Sequence, residues 1–178
     1  MTLVLIGPPA AGKSRVGKRL ARRLEIPYID TDSVIVREHG AIADIFAAHG
    51  EPHFRALERA AVEDALHEDA VVSLGGGAVL DPDTQRDLHD RLVILLTVRA
   101  DAVTERIGSG KRPLVSDIQS WQRLVDARAD VYASLADFTT DTSHRAVDEI
   151  VDEIADWVAQ RVAHQVEQTD GRQSEDKS

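Results

Sequence analysis

Gly7 to Ser14 reads GPPAAGKS, which satisfies the pattern GxxxxGK[ST] directly after the apolar run Leu3-Val4-Leu5-Ile6 and before a basic helical stretch. A strand-to-helix turn of this kind presents backbone N–H groups that have no intrahelical partner, and the helix dipole adds positive charge at the same end. Here the donors that would surround phosphate oxygens belong to Ala10, Ala11, Gly12, Lys13, Ser14 and Arg15. In this motif Lys13 reaches the β- and γ-phosphates of a nucleotide and the Ser14 hydroxyl ligates Mg²⁺.

Further stretches carry residues that could do chemistry. In YIDTD, Asp30 ends a short β-rich run and Asp32 follows two residues later. In a parallel sheet both would stand at the carboxyl edge, where one carboxylate can support a metal's water shell and the other can orient or deprotonate a hydroxyl. Either Asp equally suits the N-cap of a following helix. In SLGGGA, Gly75, Gly76 and Gly77 reach the same edge after another β-rich run, and side-chain-free backbone can approach a ligand closely. Arg55 in HFRALE and Arg128 in DARADVY are candidates for a bidentate grip on a carboxylate, with Glu58 one turn beyond Arg55 to fix its guanidinium. Arg112 lies in GSGKRPLV, whose glycines and proline mark a mobile loop able to close over transferring phosphate. His49 and His53 are four apart, but Gly50 and Pro52 interrupt the helix between them and no third zinc ligand is evident.

These residues need a frame that brings them together. Strands are expected at Thr2 to Ile6, Tyr28 to Asp30, Val71 to Leu74, Leu92 to Val98 and Phe138 to Thr140. Between them, helical periodicity covers Val16 to Leu24, about Glu51 to His67, Pro82 to Arg91, Asp101 to Ile107, Ile118 to Leu135 and Val147 to His164. The alternation predicts an α/β fold with a parallel sheet and crossover helices. At 178 residues with a net charge of −10 and no cysteine, the chain suits one domain without disulfides or thiolate metal sites. Its acidity argues against general nucleic-acid binding, although Lys13, Arg15, Lys18, Arg19, Arg22 and Arg23 precede the first acid, Glu25. The apolar start is far shorter than the ~20 residues of a membrane span. A cytoplasmic protein with no membrane partner is expected.

In order and spacing, GPPAAGKS, DTD, IADIFAAHGEPHFRALE, SLGGGAV, RPL and RADVY resemble shikimate kinase, a small P-loop kinase of the nucleoside-monophosphate-kinase type. The likeness covers about Leu3 to Arg145. It implies a three-layer P-loop kinase fold, with a five-stranded parallel sheet in the order 2-3-1-4-5, helices on both faces and a mobile lid. It also implies ATP as co-substrate, Mg²⁺ as cofactor and phosphorylation of the 3-hydroxyl of shikimate on the route to chorismate and the aromatic amino acids.

Carried over by position, Lys13 would hold the transferring phosphate, with Ser14 ligating Mg²⁺ and Asp30 supporting it through water. Asp32 would contact the substrate hydroxyls as the base. Arg55, Arg128 and Gly75 to Gly77, Gly76 above all, would hold shikimate, with Phe46 and Phe54 against the apolar side of its ring. Arg112 would be the lid residue on the ATP phosphates and Arg145 an adenine contact. Three positions depart from the family pattern: Ala10 stands where glycine is usual, Asp130-Val131 replaces Pro-Leu, and DTSHRAVDE lacks the usual proline. The expected organisation is one domain over 1–164, with a substrate-binding segment near 32–60 and a lid near 108–118, followed by a disordered tail at 165–178. A monomer is the default. The rival readings are a related kinase, for instance of gluconate, and a nucleotide-binding regulator without turnover.

Overall fold

The computed structural model describes residues 1–108 and 118–175. Among them, β1 (Leu3–Ile6), β2 (Tyr28–Asp30), β3 (Val71–Ser73), β4 (Leu92–Thr97) and β5 (Phe138–Asp141) form one sheet in the order β2-β3-β1-β4-β5. All four pairings are parallel. The helices are α1 (Lys13–Leu24), α2 (Thr31–His39), α3 (Ile42–Leu66), α4 (Pro82–Leu88), α5 (Ala100–Gly108), α6 (Ile118–Asp126), α7 (Ala129–Leu135) and α8 (Val147–Glu175).

Side chains alternate across the strands and so build two cores. Leu3, Leu5, Val71, Ile94 and Leu96 pack beneath α1, α5, α6 and α8, whereas Val4, Ile6, Val72, Val93 and Leu95 pack on the face of α3, α4 and α7. Every residue of β1 is buried, as a central parallel strand covered by helices on both faces requires. The expected three-layer fold and strand order are therefore present. Because β2, β3 and β1 are neighbours, the loops that leave their carboxyl ends open side by side. Those loops carry Asp30 to Asp32, Gly75 to Gly77 and Gly7 to Gly12.

Several helix boundaries differ from the periodicity. Asp30 caps α2, accepting from Ser33 N at 3.1 Å, and α2 itself carries too weak an apolar face to stand out in the sequence. Helix α3 begins at Ile42, with Gly50 (φ 79°, ψ 175°) breaking it ahead of Pro52. The stretch from Ile118 to Leu135 is two helices rather than one, separated at Ala127 and Arg128. Helix α8 passes His164 and continues to Glu175, since Gln and Glu are good helix formers and extend a helix already nucleated by packing.

Candidate active site

Three residues of the phosphate loop have positive φ: Gly7 (137°), Ala10 (67°) and Gly12 (89°). A Cβ on Gly7 would lie 2.2 Å from the Leu96 carbonyl oxygen, so the entry to the loop accepts glycine alone. Gly12 precedes α1 without a side-chain cap, and the first turn holds no acidic residue, which leaves the helix N-terminus open to an anion. Lys13 Nζ donates to the carbonyls of Gly7 (2.7 Å) and Pro8 (3.1 Å), folding its charge back over the loop.

Ser14 Oγ donates to Asp30 Oδ2 at 2.7 Å, and the Tyr28 hydroxyl donates to the same oxygen at 3.0 Å. Asp30 thus both caps α2 through one oxygen and holds the first turn of α1 through the other. Burial pushes the Tyr28 hydroxyl pKa up, with the Asp30 charge adding to it, and keeps Tyr28 a donor. Ser14 and Asp30 offer hard oxygens, and no cluster of three His, Cys, Asp or Glu able to hold a metal occurs among the described residues. This donor set suits an ion that takes the rest of its shell from water and phosphate, which is the habit of Mg²⁺. The rings of His49 and His53 lie 4.7 Å apart.

Next to the loop opens a cleft of about 530 Å³. Its walls carry Lys13, Ser14, Asp30, Asp32, Arg55, Gly76, Gly77 and Arg128, with Phe46 and Phe54 on an apolar side. The two phenyl centroids are 4.7 Å apart. Gly75 sits behind this wall: a Cβ there would come within 2.6 Å of Asp32 Oδ1 and 2.8 Å of Glu58 Oε1. A Cβ on Gly77 would lie 2.5 Å from Arg55 Nη1. The glycine run is therefore what lets the acidic and basic side chains close up to the backbone.

Arg55 Nη1 donates to Glu58 Oε2 at 2.5 Å, while its Nε and Nη2 donate to Glu51 Oε1 at 3.2 and 3.1 Å. Glu58 is only 4% exposed. Burial raises its pKa, while Arg55 holds it back toward the ionised form. Opposite, Arg128 Nη1 (2.8 Å) and the Tyr132 hydroxyl (2.6 Å) both donate to the Gly76 carbonyl. The Asp32 pKa is raised by burial first and by the Asp30 charge second, with Lys13 and Arg55 opposing.

A smaller cleft of about 210 Å³ lies on the other side of the loop, lined by Ala10, Ala11, Arg15, Arg106, Thr142 and Arg145 among others. Arg145 is bound to Thr140 Oγ1, the Asp141 carbonyl and Glu153, the last at 2.7 Å. Arg112 lies outside the described residues.

The family model described as shikimate kinase matches residues 9–159. A shikimate kinase of Streptomyces avermitilis is 43% identical over 153 residues, covering 83% of this chain and 90% of its own length. The chain belongs to the shikimate kinase family. Its fold superposes on a shikimate kinase from Acinetobacter baumannii in complex with shikimate, with a TM-score of 0.82, 28% identity and coverage of 90% and 93% of the two chains. A gluconokinase from Sinorhizobium meliloti shares the fold at a TM-score of 0.64 and 19% identity, over 94% of this chain and 96% of its own.

Against the family pattern, Ala10 holds a backbone conformation that glycine adopts without strain. The Asp130-Val131 departure falls in the first turn of α7 and leaves Arg128 in the cleft. Sequence reasoning passed over Tyr132, Arg106 and Trp121. Tyr132 is merely the last residue of RADVY, and nothing in TERIG or SWQRL distinguishes Arg106 or Trp121 from an ordinary helical residue.

Proposed function

We propose that this chain transfers the γ-phosphoryl group of ATP to the 3-hydroxyl of shikimate, giving shikimate 3-phosphate and ADP. The observation that supports it most is the meeting, in one cleft, of the phosphate-loop side chains Lys13 and Ser14 with the Asp32 carboxyl and the guanidinium groups of Arg55 and Arg128. That arrangement suits an acceptor that is both a carboxylate and a polyol.

Arg55 and Arg128 grip the substrate carboxylate, with Glu58 and Glu51 fixing the first and the Gly76 carbonyl the second. Gly76 and Gly77 let the substrate approach the backbone, Gly75 behind them makes room for Asp32 and Glu58, and Phe46 and Phe54 cover the apolar side of the substrate. Asp32 orients the acceptor hydroxyl and takes its proton as the new O–P bond forms and the bond to the ADP oxygen breaks. Lys13 leaves the Gly7 and Pro8 carbonyls for the transferring phosphate, whose charge it stabilises together with Arg112 and the N–H groups of Ala10 to Arg15. Ser14 would hold Mg²⁺, with Asp30 supporting its water shell, and the ion would supply neutralisation of the phosphate charge. Arg145, at the smaller cleft, contacts adenine.

No described helix is long and apolar enough to cross a membrane. We place the protein in the cytoplasm as a monomer, acting on small molecules and not on nucleic acid or membranes, with 108–118 as its lid. The test is the product itself. Incubation with ATP, Mg²⁺ and shikimate should yield ADP and a phosphate monoester whose ³¹P–¹H coupling lies at carbon 3. A phosphate at another carbon, or none, would overturn the proposal.

A further inference from the structure

Three consecutive carbonyls of the phosphate loop are each held by a side chain from a different element. Trp121 Nε1 of α6 donates to Pro9 O at 2.9 Å, Arg106 Nη1 of α5 to Ala10 O at 2.7 Å, and Thr142 Oγ1 after β5 shares its one proton between Ala11 O at 2.9 Å and Thr97 O at 3.0 Å. In a planar trans peptide the C=O and the following N–H point in opposite directions. Fixing the three carbonyls on the outside therefore turns the N–H groups of Ala10, Ala11 and Gly12 toward the inside of the loop, where the Ala11 N–H now makes only a 3.3 Å contact with Pro8 O. The middle of this brace is Ala10, a non-glycine residue at φ 67°. A strained conformation of this kind persists only where its surroundings over-determine it.

We infer that Trp121 is a positioning residue of the phosphate loop, acting with Arg106 and Thr142 to hold Ala10 in the left-handed conformation that aims the loop's N–H groups at a nucleotide phosphate. Trp121 is 2% exposed and lines neither cleft, and among the described residues its indole N–H donates to the Pro9 carbonyl alone. Arg106, by contrast, also borders the smaller cleft.

Trp121→Phe keeps a ring in the core and removes the donor. ADP binding by calorimetry should weaken by about five- to tenfold, the worth of one hydrogen bond, while the KM for shikimate stays within about twofold. Glycine needs no brace to reach positive φ, so Ala10→Gly should recover most of the loss in the Trp121→Phe chain and bring a smaller gain, if any, to the wild type. Unchanged ADP affinity in Trp121→Phe, equal losses for ADP and shikimate, or the same effect of Ala10→Gly in both backgrounds would overturn the inference. If Trp121→Phe does not fold, Trp157→Phe leaves Trp121 as the sole indole of the two in the chain. Its emission should then respond to ADP and not to shikimate alone, and an emission indifferent to ADP refutes the inference. ADP binding by the unaltered chain tests the phosphate-loop assignment separately.

Discussion

Ser14 and Asp30, 16 positions apart in sequence, are joined by a 2.7 Å hydrogen bond between Oγ and Oδ2. The bond ties the first turn of α1 to the end of β2, while the other Asp30 oxygen caps α2. One carboxylate thus fixes the mouth of the phosphate loop and the start of the acceptor wall.

Asp30→Asn separates these duties, because Asn caps a helix as well as Asp but carries no charge. Because the amide NH2 replaces the oxygen that accepts from Ser14 and Tyr28, the melting temperature should fall by roughly 2–5 °C. The Mg²⁺ concentration for half-maximal turnover should rise by about tenfold, read from a magnesium titration at fixed ATP. An unchanged requirement would remove Asp30 from the metal site.

Gly77→Ala places a methyl group where the Arg55 guanidinium now lies. The Arg55 side chain swings away at a cost to stability, since buried Glu58 loses its partner, and the displaced fork no longer meets a carboxylate. The KM for shikimate should rise by about tenfold or more, with the KM for ATP unchanged. Equal changes in both would point to a general distortion of the sheet edge.

Arg55→Lys keeps the charge and loses the planar fork that Glu58 and Glu51 hold. Its KM for shikimate should likewise increase by about tenfold, and substrate analogues lacking the carboxylate should be handled by wild type and variant alike. A variant that still discriminates fully for the carboxylate would shift the grip to Arg128.

Asp32 combines an activity role with a stability cost. Its native pKa is raised, chiefly by burial, so the folded chain binds the proton more tightly than the unfolded chain does. Between the ordinary carboxylate range and the raised value the native state therefore gains stability as pH falls and loses it as pH rises. Asp32→Asn removes the buried charge. The variant should melt higher than wild type at pH 8, by roughly 1–3 °C, and the gap should shrink toward pH 5. Turnover at pH 8 should fall by about 100-fold or more while ADP affinity is retained. In the wild type kcat/KM should fall on the acid side as Asp32 takes up its proton. A variant as active as wild type would end its assignment as the base.

The sheet and the phosphate loop were legible because both are local: alternating apolar runs mark strands, and GPPAAGKS carries its own backbone requirement. That Asp32, Arg55, Gly76 and Arg128 share one cleft was legible through motif order, and Glu58 through its position one turn after Arg55. What stayed hidden was long-range. Tyr132 reaches Gly76 across 56 positions and Trp121 reaches Pro9 across 112, and neither has a spacing that periodicity can detect. The break at Arg128 was hidden too, since the helical pattern continues on both sides while the side chain turns in to the Gly76 carbonyl. Asp30 was undecided between cap and metal support because its two oxygens serve different elements.

The central claim is the identity of the acceptor, and coupled ADP release measured with shikimate, gluconate, quinate and nucleoside monophosphates at equal concentration tests it most directly. Shikimate should drive ADP formation at least about 100-fold faster than any of the others. Faster ADP formation with gluconate than with shikimate would contradict the account.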